Sequence, residues 1–263
     1  MLKVVFALAC HPDDIEFMMA GTLFLLKEKG CELHYMNLAN GNCGTAELSY
    51  KEIVKTRRKE AEDAAKYLGA EYHAPLKNDI EVFYEDKIIR KVAAIIREIK
   101  PDIMLIPSLE DYMEDHMNTA RIAVTAAFCR GMKNYIITPK RPLLNKDLTL
   151  YHALPYGLRD GMNKQIVPEL FADISTVIDK KEKMLSLHKS QKVWLDKSQG
   201  LDAYLTTMKK MSDEVGKLSG RFKYAEGWRR HSHLGFSAKK SDPLSIILKG
   251  CISKNPEINK LCL

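Results

Sequence analysis

The chain of 263 residues reads as an α/β protein, a Rossmann-like, doubly wound and mostly parallel sheet with helices on both faces. Three observations predict this. Short apolar runs alternate with longer amphipathic segments, at strand-then-helix spacing, from the N-terminus to about residue 130. Glycine or proline closes the helical segments. Two of the apolar runs lead directly into clusters of acids and histidine, where ligands bind in open α/β sheets.

Each element follows from its own pattern. Val4 to Ala9 is wholly apolar and reads as a buried first strand. Ile15 to Lys29 has apolar residues at helical spacing and ends at Gly30. Glu32 to Leu38 reads as the second strand, followed by the glycine-rich loop Asn40 to Thr45. That loop has neither a GxGxxG nor a GK[ST] pattern. Ser49 to Leu68 is a long helix, with Ser49 and Glu52 at capping-box spacing and Gly69 ending it. Tyr72 to Leu76 is a short strand, Asp86 to Lys100 a helix stopped by Pro101, Ile103 to Ile106 a buried strand and Asn118 to Arg130 a helix. From Pro139 the pattern weakens. Leu148 to Leu154 reads as a strand, and Lys180 to His188 and Ala203 to Gly216 as helices. Residues 1–240 are expected to form a single domain and 241–263 a C-terminal extension.

Composition narrows the function. The net charge is +7, but basic residues are mixed with acids throughout, which describes a solvated surface and gives no reason to expect a nucleic-acid partner. No stretch of eighteen apolar residues predicts a membrane span, and no signal-peptide pattern opens the chain, so a cytoplasmic protein is expected. Six cysteines, at 10, 31, 43, 129, 251 and 262, lack CxxC spacing and read as reduced thiols. Cys10, at the end of its strand, is expected to point away from any site.

The segment Cys10-His11-Pro12-Asp13-Asp14-Ile15-Glu16 carries the chemistry. A helix cap needs one acid. An imidazole with several carboxylates can instead supply nitrogen and oxygen ligands to a divalent metal and leave one carboxylate as a base. A second such segment, Asp111 to His116, follows the strand Ile103 to Ile106. The ends of those two strands can meet at a switch point, bringing His116 to His11 and Asp14. Two His and one Asp with an open position is the layout of a catalytic zinc site, where bound water has a pKa of about 7. The same donors also hold Fe2+ or Mn2+. Asp13 would take the proton of the water. The reaction implied is hydrolysis of a carbonyl or phosphoryl compound.

These residues resemble the signature of the LmbE-like, PIG-L-type zinc N-deacetylases. His11-Pro12-Asp13-Asp14-Ile15-Glu16 is similar to the family's (A)HPDD(x)E, and Asp115-His116 to its later DH element. Arg57, Glu60, Ala64, Leu68 and Gly69 resemble its R-x-x-E…A…LG helix, His188 to Gln191 its HxSQ, and Tyr224-Ala225-Glu226 its (Y/F)-A-E. The resemblance implies removal of an N-acetyl group from a small amino sugar or its conjugate. It implies zinc on His11, Asp14 and His116, Asp13 as general base, Asp115 among the catalytic groups, and Arg57 on the substrate. Met113 departs from the pattern, because many members carry a histidine there. A thioether has no proton to give to an oxyanion or leaving amine. Candidates to replace it are His188 first, His152 second, then Tyr112 and the pair His231 and His233. Trp228 and Arg229, in the segment rich in Arg and aromatics, suit stacking on a sugar ring and contact with anionic groups. Two alternatives remain in view, an amidase acting on a different amide substrate and a catalytically impaired carbohydrate-binding protein that retains a metal site; the oligomeric state is open, a homo-oligomer included. Retention of Asp13 argues against a mere binder.

Overall fold

Val4–Ala9 (β1) lies near the middle of an eight-stranded sheet, and Val5 to Ala9 are fully buried. A parallel strand covered on both faces has to be apolar at every position, which is why this run shows no alternation. The computed structural model describes residues 3–192, 194 and 203–256. On one side β1 pairs in parallel with Glu32–Asn37 (β2), which pairs in turn with Glu71–His73 (β3). On the other side it pairs with Ile103–Ile106 (β4), which pairs with Thr149–Ala153 (β5). The order β3-β2-β1-β4-β5 reverses direction between β1 and β4, and that reversal creates the crevice of a doubly wound sheet.

Beyond β5 the sheet becomes antiparallel through Ala225–Arg230 (β7), Leu170–Asp173 (β6) and Ile252–Lys254 (β8). Alternate residues of β1 feed two cores. Val5, Ala7 and Ala9 meet Asp14–Met18 (α1), Ala20–Glu28 (α2), Tyr50–Leu68 (α3), Ile178–Leu185 (α6) and Ala203–Leu218 (α7). Phe6 and Leu8 meet Asp86–Ile99 (α4) and Glu114–Phe128 (α5). Within the segment 241–263, Pro243–Ile247 (α8) is capped by Asp242, which accepts from Ser245 N at 3.2 Å, and β8 then joins the sheet edge. Among the described residues, no helix is long and apolar enough to cross a membrane.

Several boundaries differ from the sequence expectation. The helix expected over 15–29 is two helices, broken at Met19 (φ −133°, ψ −21°). The cause is distant in sequence. Glu226 of β7 accepts from Gly21 N at 2.8 Å and from Thr22 N at 2.7 Å, capping α2 from across the fold, and Lys181 balances its charge at 2.7 Å. Helix α5 begins at Glu114, four residues earlier than the expected Asn118. Its acids Glu114 and Asp115 belong to a helix first turn, where the dipole favours negative charge. Strands β6 and β8 were not anticipated, because runs of four and three residues carry too little periodicity.

Candidate metal centre and catalytic cleft

Loops after β1 and β4 meet at the switch point. His11 and Asp14 come from the first, and His116 from the opening turn of α5. His11 Nδ1 lies 3.2 Å from His116 Nε2, and Asp14 Oδ2 lies 3.7 Å from the former and 3.4 Å from the latter. Ligands held at tetrahedral zinc distances are about 3.3 Å apart, so this triangle has the dimensions of a metal site.

Each imidazole is held from behind. Asp115 Oδ2 lies 3.3 Å from His11 Nε2, and Asp111 Oδ2 lies 3.2 Å from His116 Nδ1. With those nitrogens donating to carboxylates, the two remaining nitrogens face each other with lone pairs. A shared cation resolves that opposition, and a carboxylate behind each histidine is what metal ligation uses to fix tautomer and orientation. Burial pushes the Asp14 carboxyl up, but His116 and His11 outweigh it and hold it below the usual range. Burial pushes His116 down, and Asp14 and Asp111 outweigh that, raising it.

Asp13 sits in the left-handed region at φ 107°, a strained placement for a non-glycine residue. Tyr204 OH donates to Oδ2 at 2.8 Å, and Arg57 Nη2 lies 3.3 Å from Oδ1. Burial raises the Asp13 pKa, and Arg57 only partly offsets it. Arg57 is itself buried at 3% exposure and also donates to Pro12 O. The glycine-rich loop makes room for it. A Cβ on Gly41, which has φ +78°, would stand 2.5 Å from Arg57 Cδ, and one on Gly44 would collide with both Arg57 and Gln191. Asp79 pins the loop by accepting from Gly41 N at 2.7 Å and Cys43 N at 3.0 Å.

The resulting cleft of about 290 Å³ is lined by His11, Asp13, Asp14, Arg57 and His116, with Phe17, Tyr112, Met113, Tyr156, Gln191 and Trp194 on its walls. The other expected site residues lie elsewhere. Asp115 does not face the cleft. It accepts from Ile80 N at 2.6 Å behind His11. His188 is fully buried, 3.2 Å from Glu16 Oε1, so it cannot touch a substrate directly. His152, expected on the substrate, is buried between Pro107 O at 2.8 Å and His231 Nδ1 at 2.9 Å. Trp228, expected to stack on a sugar, is a core residue at 0% exposure whose Nε1 donates to Thr22 Oγ1 at 3.0 Å. Arg229 forms an exposed ion pair with Glu110 at 2.6 Å, outside the cleft. His231 and His233 line a separate hollow. Cys10 Sγ lies 3.6 Å from His11 Nε2, on the side away from the ligand triangle.

Sequence reasoning missed Tyr204, 191 positions from Asp13, and the supporting role of Asp111. The acid five residues before His116 was a visible signal for the second, since a ligand histidine needs a carboxylate behind it. Nothing local marks Tyr204. The motif elements do meet. Glu60 accepts from Ser190 N at 2.8 Å and Ser190 Oγ at 2.6 Å, and Gln191 Nε2 donates to Gly44 O at 2.8 Å.

Comparison with known proteins gives the same picture. Residues 6–127 match the family described as PIG-L, GlcNAc-PI de-N-acetylase. The chain is 28% identical over 238 residues to diacetylchitobiose deacetylase of Thermococcus kodakarensis, covering 87% of this chain and 83% of that protein. It is 25% identical over 190 residues to 4-oxalmesaconate hydratase of Pseudomonas putida, covering 68% and 70%. Among solved structures, N,N'-diacetylchitobiose deacetylase from Pyrococcus horikoshii superposes with a TM-score of 0.75 at 24% identity, covering 92% of this chain and 88% of that one. A mixed α/β sheet with this connectivity, a histidine–aspartate triangle at its switch point and these likenesses agree with the match of residues 6–127 to the PIG-L (LmbE-like) family.

Proposed function

We propose that this protein is a metal-dependent hydrolase that removes an N-acyl group, acetyl in the first instance, from a small amino sugar or amino-sugar conjugate. One observation carries the reading. Two histidines, each backed by a carboxylate, turn their free nitrogens toward a point shared with Asp14, and a further carboxylate, Asp13, opens into the same cleft. Names of relatives support the substrate class.

His11, Asp14 and His116 would hold the ion, zinc in our reading, with Fe2+ or Mn2+ suited to the same donors. Bound there, it supplies an acidified water and a Lewis acid for the acyl oxygen. Asp13 takes the proton of the attacking water, and Arg57 and Tyr204 keep its carboxylate aimed. Asp115 and Asp111 hold the two imidazoles. In this reading Arg57 positions Asp13, and because it also lines the cleft the substrate contact expected of it is decided by the kinetics of its variants. Tyr112 is the best-placed group to donate to the developing oxyanion, because it lines the cleft where Met113 cannot donate, while His188 and His152 are buried away from it. An adjoining apolar hollow of about 460 Å³ shares the wall at Trp194 and suits the rest of a conjugated substrate.

Metal content by elemental analysis, together with amine and acetate release from diacetylchitobiose and other N-acetylglucosamine conjugates, tests the reading. Metal with stoichiometric amine and acetate supports it. Protein that binds no metal, or metal without release across a broad amide panel, overturns it. The hydratase relative favours a second reading, addition of water to a carbon–carbon double bond by the same base and metal. Turnover of an unsaturated carboxylate with no amine released would select that one.

A further inference from the structure

Away from the cleft, the tripeptide Glu-x-His occurs on two neighbouring strands, as Glu32-Leu33-His34 in β2 and Glu71-Tyr72-His73 in β3. The strands run parallel with His34 opposite Glu71. Residues two apart share a face, so all four polar side chains project from one side of the sheet. It is the side packed by α4, where the His73 ring meets Phe6 edge-on at 6.0 Å. His34 Nδ1 lies 2.9 Å from His73 Nε2 and 3.7 Å from Glu71 Oε2, and His34 Nε2 lies 3.1 Å from Glu32 Oε1.

This repeats the logic of the cleft with different residues: an imidazole backed by a carboxylate, its free nitrogen turned toward a second imidazole and a second carboxylate. We propose that His34, Glu71 and His73 form a second site for a divalent cation of the zinc class, with Glu32 orienting His34. The separations bracket the distance of about 3.3 Å between tetrahedral ligands. Two imidazoles and one carboxylate select Zn2+, Ni2+ or Cu2+ over Ca2+ and Mg2+. His34 is buried at 5% exposure, His73 is half-buried and Glu71 is exposed, so the ion enters from the sheet edge and keeps a position open to water. For a cation to sit there, both His34 Nδ1 and His73 Nε2 must present lone pairs, each ring carrying its proton on the other nitrogen. An ion there ties the three-residue edge strand β3 to β2, and because it binds only the folded chain it adds stability.

The test titrates metal-free, full-length protein with Zn2+, counting bound metal after desalting and measuring affinity by calorimetry. Wild type is expected to take up two equivalents, and Asp14→Asn/His116→Gln to keep one. Glu71→Gln, at an exposed position that the fold does not depend on, is expected to weaken the second equivalent by about tenfold or more. Adding His73→Gln should remove that equivalent while the catalytic ion and turnover stay. Saturation of wild type at one equivalent overturns the proposal. So does a second equivalent whose affinity Glu71→Gln leaves unchanged, or one that persists in Glu71→Gln/His73→Gln.

Discussion

Arg57 Nη2 lies 3.3 Å from Asp13 Oδ1, with the guanidinium almost wholly buried at the cleft wall. The guanidinium also reaches Pro12 O, so one planar group fixes both the carboxylate and the backbone that presents it. Lysine keeps the charge but lacks the fork. Arg57→Lys is expected to lower kcat by about a hundredfold, the cost of a small misplacement of a reacting group, with KM and zinc content nearly unchanged. A change in KM alone would instead place Arg57 on the substrate. Asp13→Asn should retain the metal and lose turnover by about 10²- to 10⁴-fold.

Asp111 and Asp115 give a prediction about affinity. Neither lines the cleft, yet each faces the far nitrogen of a ligand histidine. Loss of such a partner commonly costs about 10- to 100-fold in metal affinity. Asp111→Asn should therefore weaken zinc at the catalytic centre by that factor in a competition titration against a chelator, with kcat recovering at saturating Zn2+. Unchanged affinity would mean that Asp111 serves only the loop, where its Oδ1 accepts from Met113 N at 3.0 Å.

The meeting of His11, Asp14 and His116 was legible because each sits at the end of a readable strand or the start of a readable helix, and the switch-point rule brings those ends together. The parallel half of the sheet was legible for the same reason. Where packing decides, the sequence was silent. Trp228 looked like a ligand platform because its neighbours are Arg and His, but the first four residues of β7 are all buried and Trp228 packs in the core. His188 lies in a motif that does border the cleft, yet it is Gln191 that reaches the wall while His188 turns inward to Glu16. Motif membership located the segment and did not say which of its side chains faces the cleft.

Tyr112 carries the question raised by Met113. Its phenol lines the cleft, and its ring stands edge-on to His116 with centroids 5.8 Å apart. Although Tyr112 is 56% exposed, partial desolvation of its hydroxyl, with Asp14 and Asp111 adding to it, raises its pKa above the usual phenol range, and it is a donor at neutral pH. Removal of one oxyanion donor costs about 10²- to 10³-fold in kcat. Tyr112→Phe should show that loss with metal binding intact, whereas Tyr156→Phe, also on the cleft wall, should act mainly on KM. Equal kcat for Tyr112→Phe and wild type would remove the role.

His152 and His231 predict how stability depends on pH. The His152 pKa is lowered to about 4, chiefly by burial, with His231 and Arg229 adding to it against the bond to Pro107 O. The folded state therefore keeps this imidazole neutral, while the unfolded chain titrates near the ordinary value of 6.5. A depressed folded pKa means that the unfolded state binds the proton first. The stabilisation is complete above the unfolded value and is lost as pH falls from there toward the folded one. Linkage puts the loss at about 2 kcal/mol between pH 7 and pH 5. Gln at this position can still donate to Pro107 O but does not titrate. In urea melts, His152→Gln should be less stable than wild type at pH 7, with the gap narrowing by about that amount at pH 5. A gap that stays constant with pH would show that His152 is protonated in neither state over this range or in both alike, and that the His152–His231 contact contributes packing alone.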